Sequence, residues 1–181
     1  MNETQTFLKL NNKPKNNYPD YIICHHSGGT DANPLEDTSH HTAQMMEAWH
    51  LAKVPPWEGL GYHYVIHKDG TIWKGRPEHY QGAHTVGKNM SSVGICLSGN
   101  FDATLPSKEQ ENALKGLIND IRGRYNISTD KIVPHRAFAS KTCYGNKLSN
   151  TWAKDLLTPT TQKEVILKKL AELKKLIEEI C

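Results

Sequence analysis

Apolar positions along the chain follow two periods. The run Tyr21, Ile22, Ile23, Cys24 leading into His25 and His26 predicts a strand, and the loop chemistry of residues 27–34 ends it. A second run, Val93, Gly94, Ile95, Cys96, Leu97, is too continuous for a half-exposed strand and predicts the centre of a sheet, with Cys96 as core. Residues 61–68 and 71–77 alternate around Asp69-Gly70 and predict a hairpin with a two-residue turn. In that register Ile66 faces Trp73, and Tyr62 lies on their face. Ile132 and Val133 end a further strand at Pro134.

The helical period appears three times. Asp37 is placed to cap a helix whose apolar stripe is Met45, Met46, Trp49 and Ala52, with His40, His41 and His50 riding on it. Ser107 and Gln110 form a capping box ahead of a stripe of Ala113, Leu114, Leu117, Ile118 and Ile121. Ile166, Leu170, Leu173, Ile177 and Ile180 step by 4, 3, 4 and 3 residues, an amphipathic helix over about residues 161–181. Under three heptads is short for a coiled coil, so docking on the parent domain and self-association both stay open. The pattern is that of an α/β domain over residues 21–158, with a polar lead-in over residues 1–20 that is loose or wraps the surface. Between residues 150 and 161 the chain is irregular, with Trp152, Leu156 and Leu157 available to pack.

Composition narrows the class. The 181 residues suffice for one core, and 22 basic against 19 acidic residues, interspersed, leave +3 and no basic block before the C-terminal helix. Nucleic acid is therefore not an expected partner. No run of about 18 apolar residues predicts a membrane span, and the N-terminus lacks a basic-then-apolar leader, so synthesis in the cytoplasm is expected. The four cysteines are scattered and predict reduced thiols rather than a disulfide framework.

The chemistry concentrates in residues 133–143, where His135, Lys141 and Cys143 share a turn-sized segment after an apolar strand end. Zinc takes neutral imidazole and thiolate, and a catalytic zinc needs three protein ligands with a fourth position open. The third ligand is expected from the other strand that ends in histidine, at His25 or His26. Zinc would make water nucleophilic and polarise a carbonyl, Lys141 would supply a cation to an oxyanion, and the Tyr62 phenol could orient water or donate to the same oxygen if its face looks toward the metal. Trp57, in the rigid loop 54–60, and His84, in the loop 78–90, are candidates for a substrate groove.

Taken together, His25-His26-Ser27-Gly28-Gly29, Gly61-Tyr62-His63-Tyr64 with Asp69-Gly70-Thr71 and Gly75-Arg76, Gly82-Ala83-His84, Ser92 to Leu97, and His135-Arg136 to Lys141-Thr142-Cys143 resemble the zinc-dependent N-acetylmuramoyl-L-alanine amidases, the family of phage lysozyme-type amidases and peptidoglycan recognition proteins. The match runs in order over about residues 21–145. The resemblance implies a mixed central β-sheet flanked by helices with a zinc site at its strand ends, and cleavage of the amide between N-acetylmuramic acid and L-alanine. It implies Zn2+ held by His25, His135 and Cys143, catalytic support from Tyr62 and Lys141, and His26 beside the ligands or in the groove. Family members without catalysis lose the cysteine ligand; this chain has it, eight positions after His135. Two departures stand out: Tyr144 follows the cysteine where the family often has proline, and Ala137 follows His135-Arg136 where it often has an acid.

The expected partner is peptidoglycan or a muropeptide, in a phage endolysin-type lysis enzyme that reaches the wall after release. A cytoplasmic amidase that recycles wall fragments, a peptidoglycan-recognition module without turnover, and a structural zinc protein with a hidden fourth ligand are the rival readings.

Overall fold

The computed structural model describes residues 1–158 and the single positions Ile166, Leu170, Leu173 and Ile177. Those four side chains are exposed; the C-terminal helix as an element, and Cys181, lie outside the described residues. The described part contains a six-stranded mixed sheet with helices on both faces. In chain order the strands are β1 (Asn2–Glu3), β2 (Tyr21–His26), β3 (Tyr64–Ile66), β4 (Ile72–Lys74), β5 (Ser92–Leu97) and β6 (Ile132–Pro134). The helices are α1 (Gln5–Leu10), α2 (Ala43–Leu51), α3 (Lys108–Tyr125) and α4 (Trp152–Asp155). Across the sheet the order is β1-β4-β3-β5-β2-β6, parallel except for the β3–β4 hairpin.

All six residues of β5 are buried, as its unbroken apolar run requires of a strand covered on both faces. Alternation assigns Val93, Ile95 and Leu97 to one face and Cys96 to the other. Helix α3 lays Leu114, Leu117, Ile118 and Ile121 on the first face, with the Ser107–Gln110 capping box formed as the sequence predicts. Each such side chain contributes about 1.5–3 kcal/mol when fully buried, enough to hold the helix by packing. Trp152, Leu156 and Leu157 pack on the same cluster. Helix α2 covers the second face with Ala43 and Met46 against Leu60, Val65 and Cys96.

Two local expectations are corrected. Asp37 does not cap α2: its Oδ1 accepts the Ser39 N–H at 2.9 Å in a local turn, and Thr42 caps the helix by accepting the Met45 N–H. The buried face shifts accordingly to Ala43, Met46 and Glu47, while Met45 and Trp49 are exposed. The hairpin loop has three residues, Lys68-Asp69-Gly70, closed by the Gly70 N–H on His67 O and the His67 N–H on Thr71 O. A two-residue turn of the favoured type needs positive φ at both central residues. Only Gly70 has it, at 82°, so the hairpin closes as a turn followed by a left-handed glycine. Ile66 therefore pairs with Ile72, and Val65 with Trp73. Tyr62 leaves the face of Ile66 and packs with Val65 and Trp73 in the α2 layer.

The polar N-terminal stretch wraps onto the sheet edge. β1 pairs with β4, and in α1 the Thr6 N–H donates to the buried Glu47 carboxylate at 2.7 Å while Thr6 Oγ1 accepts from Leu60 N–H.

Candidate active site

Register brings the site together. In the parallel pair β2–β6, Cys24 lies opposite Pro134, so the next residues along each strand, His25 and His135, emerge side by side. Their ring centroids are 4.5 Å apart. Cys143 returns from the following loop with its Sγ 3.7 Å from His25 Nδ1. One donor atom each from His25, His135 and Cys143 lie within 4.8 Å of one another. Adjacent strand residues point to opposite faces, which separates the two histidines of β2. His25 turns to the α2 side, whereas His26 Nδ1 accepts the Phe101 N–H at 2.9 Å on the other.

The donor set suits a borderline-soft divalent cation such as zinc. Burial, joined by His84 and His135, pushes the His25 pKa well below its ordinary value, and burial followed by the Lys141 cation lowers that of His135. Both imidazoles are thus neutral near pH 7, as ligation requires. Burial pushes the Cys143 thiol up to about 12, against the pull of the His26 backbone and of the Lys141 cation. A metal entering the site must therefore displace the thiol proton. Zinc affinity is expected to rise about tenfold per pH unit between pH 7 and 9, with about one proton released per ion. Competition with a chromophoric chelator at several pH values, beside calorimetry in buffers of different ionisation enthalpy, measures both.

The thiol is presented by a loop held from two sides. Arg136 donates to Asn150 Oδ1 and to the carbonyls of Thr142, Gly145 and Leu148, and its own N–H donates to Cys143 O at 2.8 Å. Asp102 accepts from Thr142 Oγ1 and from the Asn146 N–H, each at 2.7 Å. The Cys143–Tyr144 peptide is cis, and the Tyr144 ring is fully buried with its hydroxyl donating to Ser149 O. With Ala137 after Arg136, the His135 ring makes no hydrogen bond among the described residues; its neighbour is the His25 ring. Arg136→Ala is expected to lower stability by about 1–3 kcal/mol, since it strands the loop carbonyls. A urea titration of the metal-free protein reads this.

Around the three donors the surface opens into two connected hollows that share Tyr62, His135 and Lys141. One, about 600 Å³, is polar and includes Ser27, Thr30, Asp31 and Asp102 beside His26. The other, about 530 Å³, is walled by Trp57, His50, Val86 and Phe138, with His84 at its base. Trp57 is not a free aromatic: its ring stacks on His50 at 4.5 Å, with Lys53 Nζ 5.2 Å from its centroid. Tyr62 stands with its ring 5.1 Å from His25, and burial raises its phenol well above the ordinary value, so it stays a neutral donor. Lys141 is exposed on the rim. His84 is buried behind His25, its Nδ1 3.0 Å from His25 Nε2. Asp102 and Phe138 gave no signal in the sequence: an acid after the Ser98-Gly99-Asn100-Phe101 bend and a lone loop aromatic acquire meaning only through the partners that folding brings to them.

Three convergent donors with a groove on the open side have the form of a catalytic metal centre rather than a closed structural one. Residues 15–146 match the family model described as N-acetylmuramoyl-L-alanine amidase, and the chain belongs to that family. Among curated relatives, peptidoglycan-recognition protein SC2 of Drosophila melanogaster is 30% identical over 141 residues, 76% of each chain. The endolysin of Enterobacteria phage K11 is 37% identical over 100 residues, 52% of this chain and 64% of the relative. Among solved structures, the N-acetylmuramoyl-L-alanine amidase LysC from Clostridium intestinale URNW superposes with a TM-score of 0.67 at 32% identity, over 78% of this chain and 87% of that one. Among the described residues no helix is long and apolar enough to cross a membrane.

Proposed function

We propose that this chain is a zinc-dependent peptidoglycan amidase that adds water across the bond between the lactyl carbonyl of N-acetylmuramic acid and the nitrogen of L-alanine, releasing a carboxylate and a free amine. The observation that carries the reading is the convergence of His25, His135 and Cys143 on one point beside an open groove. Bound there, zinc supplies a Lewis acid that polarises the amide carbonyl and makes water nucleophilic near neutral pH. Lys141, on the rim shared by both hollows, donates to the oxygen that gains charge as the carbonyl carbon becomes tetrahedral. Tyr62 remains protonated and donates or orients from beside His25. Trp57 offers a ring edge in the aromatic hollow, and His26, with Nδ1 engaged by Phe101, leaves Nε2 for the polar one.

Intact wall is the proposed substrate, in an endolysin-type setting. The test measures free L-alanyl amino ends released from purified peptidoglycan by the zinc-loaded protein, with a chelator-treated sample and a soluble muropeptide in parallel. Release from intact wall supports the lytic reading; release from the muropeptide alone moves the assignment to fragment recycling. Zinc bound stoichiometrically without release from either makes the chain a recognition module.

A further inference from the structure

We infer that His84 is a positioning residue for the metal centre: its Nδ1 accepts the Nε2–H of His25 and so holds His25 in the tautomer whose Nδ1 lone pair faces Cys143. The inference rests on the metal-binding part of the proposed function and not on turnover.

Three observations support it. His25 uses its two ring nitrogens in opposite directions: Nδ1 lies 3.7 Å from Cys143 Sγ, among the metal donors, and Nε2 lies 3.0 Å from His84 Nδ1. A ligand imidazole that offers one nitrogen to a metal carries its proton on the other, and an acceptor for that proton fixes ring orientation and raises ligand basicity. Here the acceptor is a second imidazole in place of the commoner carboxylate or carbonyl.

The far side of His84 agrees with this assignment. With Nδ1 accepting, the proton of His84 is on Nε2, which lies 3.4 Å from Ser92 Oγ, and the Ser92 hydroxyl donates onward to Lys88 O at 2.7 Å. Each donor in the series then meets an acceptor, from His25 to a backbone carbonyl. Thr85 Oγ1 also lies 3.0 Å from His84 Nδ1, but a hydroxyl can turn its proton elsewhere and an imidazole N–H cannot.

The scaffold is shaped to seat this ring. A Cβ on Gly94 would stand 2.6 Å from His84 Cγ, Cδ2 and Nε2, and one on Gly82 would stand 2.4 Å from Cδ2. Two glycines, one in the central strand β5 and one two residues before His84 itself, clear the slot in which the imidazole lies edge-on to His25, with centroids 5.0 Å apart and planes at 88°. The backbone is pinned as well: Asn89 Oδ1 accepts the N–H groups of His84 and Thr85 at 2.8 and 2.9 Å. His84 reaches the base of the aromatic hollow by one edge, so substrate contact is the competing role.

Metal affinity separates the two roles. Zinc dissociation constants, by chelator competition at one pH, are expected to rise about 10–100-fold in His84→Ala relative to the parent, and to return toward the parent in His84→Gln, whose side-chain carbonyl can accept the same proton. Thermal melts of the metal-free proteins control for folding. Unchanged zinc affinity in His84→Ala overturns the inference while leaving the amidase reading intact; failure of the parent to bind zinc overturns both. Should His84→Ala fail to fold, long-range proton–nitrogen spectra of the zinc-loaded parent decide. They are expected to show His25 protonated at Nε2 and His84 unprotonated at Nδ1, and a His25 bound through Nε2 overturns the proposal.

Discussion

Cys143→Ser is expected to reduce release of amino ends from peptidoglycan by on the order of 1,000-fold or more while leaving the fold intact. A serine hydroxyl is a far poorer zinc ligand than a thiolate, and the Lewis-acid contribution at stake is several kcal/mol, with each 1.36 kcal/mol worth about tenfold in rate. The fold should tolerate the change because serine is nearly isosteric with cysteine and the sulfur is only half-buried at the margin of the core, beside the His25 ring and the His26 carbonyl. Zinc content measured beside activity separates the causes. Loss of both metal and turnover supports a ligand role for Cys143, whereas full zinc content with full turnover would remove the thiol from the donor set.

Lys141→Ala carries the second large effect. An exposed side chain on the rim adds little to stability, so the variant should fold and load zinc as the parent does. Loss of one donor to a developing oxyanion typically lowers kcat by about 100–1,000-fold. The fall should appear in kcat with KM nearly unchanged, because the charge that Lys141 meets is absent from the ground-state amide. A rise in KM with kcat preserved would assign Lys141 to substrate binding instead.

Local chemistry was legible where it depends on near neighbours. The Ser107–Gln110 capping box and the stripe of Leu114, Leu117, Ile118 and Ile121 lie where periodicity predicts, and β5 occupies the sheet centre. Asp37 misled because an N-cap residue and an Asx turn use the same carboxylate oxygen, and Ser39 lies close enough to take it. The hairpin shifted by one position for an equally local reason, the φ of Asp69, which Asp-Gly does not dictate by itself.

By itself the sequence determined which residue types are available to a metal and to an amide, and the central strands and the helices α2 and α3, because propensity, capping and period act over a few residues; β1, α1 and α4 formed in stretches that read as polar or irregular. Tertiary structure decided which of two adjacent histidines joins the donor set, through the alternation of β2, and that His25 meets His135, through the parallel register with β6. It also decided the Arg136 and Asp102 hold on the thiol loop and the seat of His84 against Gly94, contacts across the chain whose geometry exists only once the sheet has closed.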